Sequence, residues 1–314
     1  TRRKRPEEKR PGPGEPAPSR TFGVGVAFDQ FMSGRLWIGG VDRSFFRANL
    51  EGALLVRLGT YAQDVSAIVR KPARLGRRFV PVTFGARFSH ESLRLFEGSG
   101  ELPSAETQEL GGFLGLRDDP APGRWRVEAG IDSRLWHEPS RDARGAVGVR
   151  ASLFRARNEY EMATIVEGIA LTDFQLARLD ASRSWGEGTK LLRLRLRAGW
   201  GNRLPIQQTF TLGGSDGFAG MRIGELRGTQ EAFASVLVRR RIAPLLSLRI
   251  EAMAGAVGRG NGALQRRDST SYGRLYSGVR AGLEASTPLG PIRVEEGINN
   301  EGRRALLFRV GYWF

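Results

Sequence analysis

The 314-residue chain contains no cysteine. Disulfide frameworks, thiolate metal sites and a cysteine nucleophile are therefore excluded. The absence is compatible with an oxidising periplasm but does not define a compartment. Histidine is nearly missing: His90 and His137 lie far apart, so a histidine-rich metal site is not expected and a His-assisted hydrolase has few choices of base. Lysine is scarce too. Lys4, Lys9, Lys71 and Lys190 are the only lysines among 49 Lys+Arg, set against 33 Asp+Glu for a formal charge of +16. The positive charge is thus nearly all arginine, whose planar fork pairs bidentately with phosphates and carboxylates. That suits anionic lipid headgroups or a pairing network inside a barrel. Nucleic acid is not an expected partner, because the arginines alternate with apolar residues over many segments and form no single patch. No run approaches the roughly 18 to 20 apolar residues of a spanning helix, and the longest apolar clusters, such as Ala53–Val56, span a few residues. The mean hydropathy of −0.32 does not argue against a membrane, since strands that cross one alternate lipid-facing and lumen-facing residues.

What is present begins with a segment rich in proline and arginine. Thr1–Arg20 holds five prolines and seven basic residues and has no apolar core of a signal peptide. It reads as a solvated linker, and the chain as a mature product or a piece of something longer. The expected organisation is a linker over 1–20 and one β-domain over 21–314.

Beyond the linker the pattern is period two. Phe22, Val24, Val26 and Phe28 alternate with Gly23, Gly25 and Ala27; Leu192, Leu194 and Leu196 alternate with Arg193, Arg195 and Arg197. The same holds for Val147–Leu153, Leu248–Ala254 and Val279–Ala285, and for Leu306, Phe308, Val310, Tyr312 and Phe314 at the end. Such alternation puts one residue set on each face of a sheet. Turn signals separate the runs: Met32-Ser33-Gly34, Asp118-Asp119-Pro120, Pro122-Gly123, Gly201-Asn202 and Pro288–Pro291. The fold class is all-β and antiparallel, either a soluble sandwich or barrel, or a transmembrane barrel. Three features favour the membrane. The strands run near ten residues, longer than the usual five or six. The second face mixes glycine with charges of both signs, such as Arg249 with Glu251, Arg280 with Glu284 and Arg293 with Glu295. The chain also ends on a strand with alternate Phe308, Val310, Tyr312 and Phe314, which resembles the C-terminal assembly signal of bacterial outer-membrane barrels. Residues 21–314 then supply about sixteen strands. Trp37, Trp125, Trp136, Trp200 and Trp313 are expected in interfacial girdles.

Thr211–Gly228 (TLGGSDGFAGMRIGELRG) resembles the inward-folded loop of the surface-antigen superfamily, which includes BamA, TamA and two-partner secretion transporters. Gly213, Gly214, Phe218, Gly220, Arg222 and Gly228 carry the likeness, while Ala219 stands where that family has its tip arginine. The variant tip and the Ala48–Gly59 run resemble the barrels of patatin-like phospholipases, and the TPLGP hairpin at Thr287–Pro291 resembles the last hairpin shared across the superfamily. The resemblance implies a sixteen-stranded barrel with an inward loop. It also implies lumen carboxylates as loop partners, with Glu251, Glu284 or Glu295 meeting Arg222 or Arg227 in place of the tip arginine.

Other motifs carry less. Gly213–Gly217 fits G-x-S-x-G, yet the glycine-rich Phe218–Gly228 is a poor helix, so Ser215 is not expected to be a nucleophile. His90 and His137 are expected near polar turns, and Asp118-Asp119 as a turn. Gly258–Gly262 lacks the context and the lysine of a phosphate loop. No cofactor or metal is expected.

By resemblance the chain is an outer-membrane barrel that anchors an N-terminal passenger of the patatin-like lipid acyl hydrolase kind, with its translocation as a further role, any catalysis lying in sequence upstream. Alternatives are a BamA- or TamA-like assembly factor and a passive porin-like pore. Expected partners are outer-membrane lipids, lipopolysaccharide, the barrel assembly machinery and a covalently linked passenger.

Overall fold

The computed structural model describes residues 20–29, 33–45, 50–75, 78–97, 100–117, 125–138, 141–156, 162–186, 189–213, 216–222, 224–258, 273–287 and 290–311. The linker before Arg20, the Tyr312–Phe314 terminus, Trp313, Asp118-Asp119 and residues 259–262 lie outside them. Eighteen strands follow in chain order: β1 (Arg20–Asp29), β2 (Ser33–Phe45), β3 (Leu50–Gly59), β4 (Ala62–Leu75), β5 (Arg78–Glu97), β6 (Gly100–Arg117), β7 (Arg126–Glu138), β8 (Arg141–Ala156), β9 (Met162–Leu171), β10 (Gln175–Trp185), β11 (Lys190–Asn202), β12 (Phe210–Thr211), β13 (Arg227–Gly228), β14 (Gln230–Arg241), β15 (Leu246–Gly258), β16 (Tyr276–Thr287), β17 (Gly290–Asn299) and β18 (Arg304–Gly311). All but β12 and β13 join one closed antiparallel barrel in sequence order, with β11 beside β14 and β18 beside β1. The sixteen-strand expectation holds.

Two-residue alternation sets the two surfaces. Phe22, Val24, Val26, Leu110, Leu114, Val147, Val149, Leu192, Leu196, Ile250, Val279 and Leu283 stand exposed on the outer face. The next residue along each strand faces the lumen, where Asp64, Glu109, Asp132, Glu167, Arg249, Arg280, Glu284, Glu295 and Arg309 are buried. A soluble barrel would reverse this, hiding apolar side chains inside. The apolar-out, charged-in order is the order a lipid surround demands. Among the described residues no helix is long and apolar enough to cross a membrane.

Several local expectations are corrected. Length among the barrel strands is uneven, from eight residues in β18 to twenty in β5. The β5–β6 hairpin rises past its neighbours, since Ala62 at the start of β4 already pairs with Glu91. His90 therefore sits within β5 between Gln63 and Gln108, not near a turn, because pairing carries the strand through SHES. Gly201-Asn202 is no turn either. It finishes β11, and the chain reverses at Arg203, which takes a positive φ of 54°. Trp37 and Trp136 leave the girdle for the interior. The Trp37 indole covers the space above Gly23 and Gly25, where a Cβ on either glycine would strike it. Trp136 is buried edge-on against Phe174 at a ring distance of 5.5 Å. Trp125 and Trp200 remain on the outside near strand ends, 44% and 47% exposed.

Among the described residues, ten pairs join β1 to β2, seven join β17 to β18, and three join β1 to β18: Ala27↔Gly311, Phe28↔Val310 and Asp29↔Arg309.

Candidate functional site

The connection from β11 to β14 is the candidate site. Instead of arching away, it folds into the lumen. Leu204 and Pro205 turn inward behind Arg203, and a 3-10 turn at Ile206–Gln208 follows. Gln208 Nε2 donates to Glu109 Oε2 on β6, 2.9 Å away on the opposite wall. A short ribbon then pairs Phe210 with Gly228 and Thr211 with Arg227, closed by Leu212 N–H to the Leu226 carbonyl at 3.1 Å. The ribbon presents the tip, Asp216–Arg222.

Two apolar clusters hold the loop. Leu204 and Phe210 pack with Trp136, Ile169, Leu171, Phe174 and Leu176. Leu212, Phe218, Ala219 and Met221 pack with Phe233, Met253, Val257 and Tyr276 on β14–β16. Glycines in the wall make the room. Cβ atoms on Gly199 and Gly201 would enter Phe210 and Leu204, and one on Gly255 would come within 2.8 Å of Leu212 Cδ1. Ala219 sits over Gly278 and Gly297; a Cβ on Gly278 would lie 2.8 Å from the Ala219 Cβ. Gly220 has φ +71° and its Cα faces the Arg303 carbonyl, so only glycine fits this point of closest approach.

Charge does the rest. Asp216 lies among arginines from three strands: Arg195 Nη1 donates to its Oδ2 at 2.6 Å, Arg309 Nη1 to its Oδ1 at 3.0 Å, and Arg280 Nη1 to its carbonyl at 2.8 Å. Burial alone would raise the Asp216 pKa, but Arg309, Arg195 and Arg280 together hold the carboxyl well below the usual range. Glu225 supports the tip from behind, accepting from Arg222 N–H at 2.9 Å and pairing with Arg303 on the β17–β18 turn.

Beyond Asp216 the wall continues as a ladder. Arg280 reaches Glu251 at 2.6 Å, Arg249 bridges Glu295 and Glu284 at 2.8 Å each, and Glu284 also takes Arg239 at 3.0 Å and Arg293 at 2.8 Å. On the far wall Arg134 joins Asp132 and Glu109, and Glu167 joins Arg150 and Arg178.

Glu251, Glu284 and Glu295 therefore do line the lumen, but their ion pairs run to wall arginines, not to Arg222 or Arg227. The tip enters with Ala219 and Phe218 packed against β14–β16, and the Arg222 backbone N–H is held by Glu225. Gly213, Phe218, Gly220 and Gly228 lie in the loop as their spacing suggests; Gly214 and Ser215 fall outside the described residues. Asp216 lies in a 3-10 turn and Ala219–Gly220 in another turn, and no α-helix forms over 216–222. Phe308 and Val310 belong to β18. Asp216 was missed by sequence reasoning, which saw it only as part of G-x-S-x-G. The lumen-parity arginines 193, 195 and 197 on one strand were the available signal that an acid must meet them.

This geometry defines a class: a closed, sixteen-stranded transmembrane-type barrel whose lumen is occupied by its own inward-folded loop. Solved structures share it. BamA from Haemophilus ducreyi lacking POTRA domains 1–3 superposes with a TM-score of 0.70 at 12% identity, over 93% of this chain and 70% of that one. CdiB from Escherichia coli gives 0.60 at 13% identity over 94% of this chain and 63% of its own. CdiB from Acinetobacter baumannii gives 0.59 at 12% identity, with 94% and 60% covered. The chain thus spans less than two thirds of either CdiB. No protein-family profile and no curated protein sequence matches the chain. At these identities the likeness is one of fold.

Proposed function

We propose that the chain is an outer-membrane barrel that anchors an N-terminal passenger, of the patatin-like lipid acyl hydrolase kind. The observation that carries the membrane part is the apolar outer face wrapped around a charged lumen, on the fold of BamA and CdiB. The anchoring part is supported by the loop. Its two apolar clusters and the Asp216 cage fill the lumen from β6 to β18, which suits a fixed support better than a passive pore. Ala219, where the surface-antigen family has its tip arginine, fits the patatin-like branch in this reading and counts against an assembly factor. Any hydrolase chemistry then belongs to sequence upstream of this barrel. Outer-membrane lipids and lipopolysaccharide surround the wall, and the barrel assembly machinery inserts it.

The test is the mass of the native protein in outer-membrane fractions, detected with an antibody against the barrel. A band far above 34.6 kDa is expected; one near 34.6 kDa overturns the anchor reading, and none in that fraction overturns the location.

A further inference from the structure

Beneath the loop tip the lumen keeps a cavity of about 440 Å³. It runs from Asp216 toward the strand ends opposite the loop's entrance, reaching Ala163 at the start of β9, Pro291 near the start of β17 and Gly311 at the end of β18. Its charges do not balance. Arg193, Arg195, Arg249, Arg280 and Arg293 line it against Asp180, Asp216 and Glu251. The charges just behind the lining restore nothing, because three arginines stand there with three acids: Arg197 pairs with Glu231, Arg239 with Glu284 and Arg309 with Asp216, while Glu295 pairs with Arg249 and Arg280. Two positive charges therefore remain in surplus among the described residues.

The surplus has an address. Arg193 donates from Nε to Ser184 Oγ at 3.1 Å and pairs with no carboxylate among the described residues. Nearby, Glu284 is divided among Arg239, Arg249 and Arg293. An arginine whose guanidinium faces a water-filled cavity, beside others sharing one carboxylate, presents N–H donors that match an oxyanion. A wall of low polarisability strengthens the field inside such a recess.

We propose that this cavity is a binding site for phosphate-bearing anions, with Arg193 and Arg293 as the contacting groups. The volume admits a diphosphate or a phosphorylated head group. Wall strands separate the site from the surrounding lipid, so a soluble phosphate compound entering from the turn end is the expected source. The proposal stands on the lumen geometry and is independent of the anchor reading.

Calorimetric titration of the folded chain in a neutral detergent tests it, with pyrophosphate in one arm and dioctanoyl phosphatidylglycerol in the other. One saturable pyrophosphate site is expected, weakening as salt rises and at least tenfold weaker in Arg193→Ala. Arg240→Ala, on an exposed residue outside the cavity, serves as the control and should bind like the parent. Heat-modifiable migration on gels checks folding, and Arg193→Gln replaces Arg193→Ala if the latter does not fold. Saturable binding of the lipid alone, with the same Arg193 dependence, assigns the site to a lipid head group instead. No saturable binding of either, or binding indifferent to Arg193, overturns the proposal.

Discussion

Asp216 concentrates the site into one side chain. It joins β11, β16 and β18 through Arg195, Arg280 and Arg309, strands far apart in sequence. Asp216→Asn keeps the shape and the carbonyl that Arg280 reaches, and removes the charge from between the Arg195 and Arg309 guanidiniums. The expected cost is about 1–3 kcal/mol of loop docking, toward the low end because the carboxylate still meets lumen water. Faster proteolytic nicking within 203–229, with the barrel's gel mobility unchanged, would be the reading; parental nicking rates would refute it. Acid should mimic the change. A carboxyl whose pKa is depressed on folding contributes stability that is fully present above its unfolded pKa of about 4, and lost as pH falls through the lower folded value. The loop should therefore resist protease alike at pH 7 and pH 5 and loosen only in stronger acid. Loosening already between pH 7 and pH 5 would mean that another group controls docking.

At the scale of elements, the sequence pattern predicts faces better than partners. Leu192, Leu194 and Leu196 against Arg193, Arg195 and Arg197 announce a strand and its two sides, since side-chain direction follows from the pleat alone. Which arginine meets which acid depends on register across neighbouring strands, and no local pattern states it. The ion pairs of Glu251, Glu284 and Glu295 run to wall arginines that the sequence pattern does not single out. Trp37 and Trp136 likewise turn inward, Trp37 over Gly23 and Gly25 and Trp136 onto Phe174. Wall glycines are the clearest case. Gly278 and Gly297 look like ordinary strand glycines until the loop is laid over them, and only then does a Cβ become a clash. Gly297→Val should displace the tip, because even a Cβ would sit 3.0 Å from the Ala219 Cα and the Gly220 nitrogen. A cost of roughly 1–3 kcal/mol is expected, read as a lower unfolding midpoint together with loop nicking. Leu283→Ala on the outer face serves as the comparison and should leave nicking unchanged.

For the whole molecule the question is how much of the lumen the loop closes. It spans from Glu109 on β6 to Arg309 on β18, so it acts as a crossbar as well as a filler. Replacing residues 203–229 by a two-residue turn should leave a barrel that still migrates as a folded, heat-modifiable band. In planar bilayers it should conduct in large, steady steps where the parent stays mostly closed. Equal conductance in both would show that the loop is not the barrier.

The sequence by itself determined the all-β class, the near-sixteen strand count, the apolar outer face and the presence of a glycine-rich loop. Each follows from interactions a few residues long: pleat alternation, turn chemistry and glycine spacing. Only the tertiary structure decided that Asp216 is the loop's anchor, that Arg193 meets no carboxylate among the described residues, and that certain glycines form the loop's seat. Those facts arise where strands distant in the chain meet across a closed wall. Charge pairing over such distances depends on register and curvature, which local sequence does not encode.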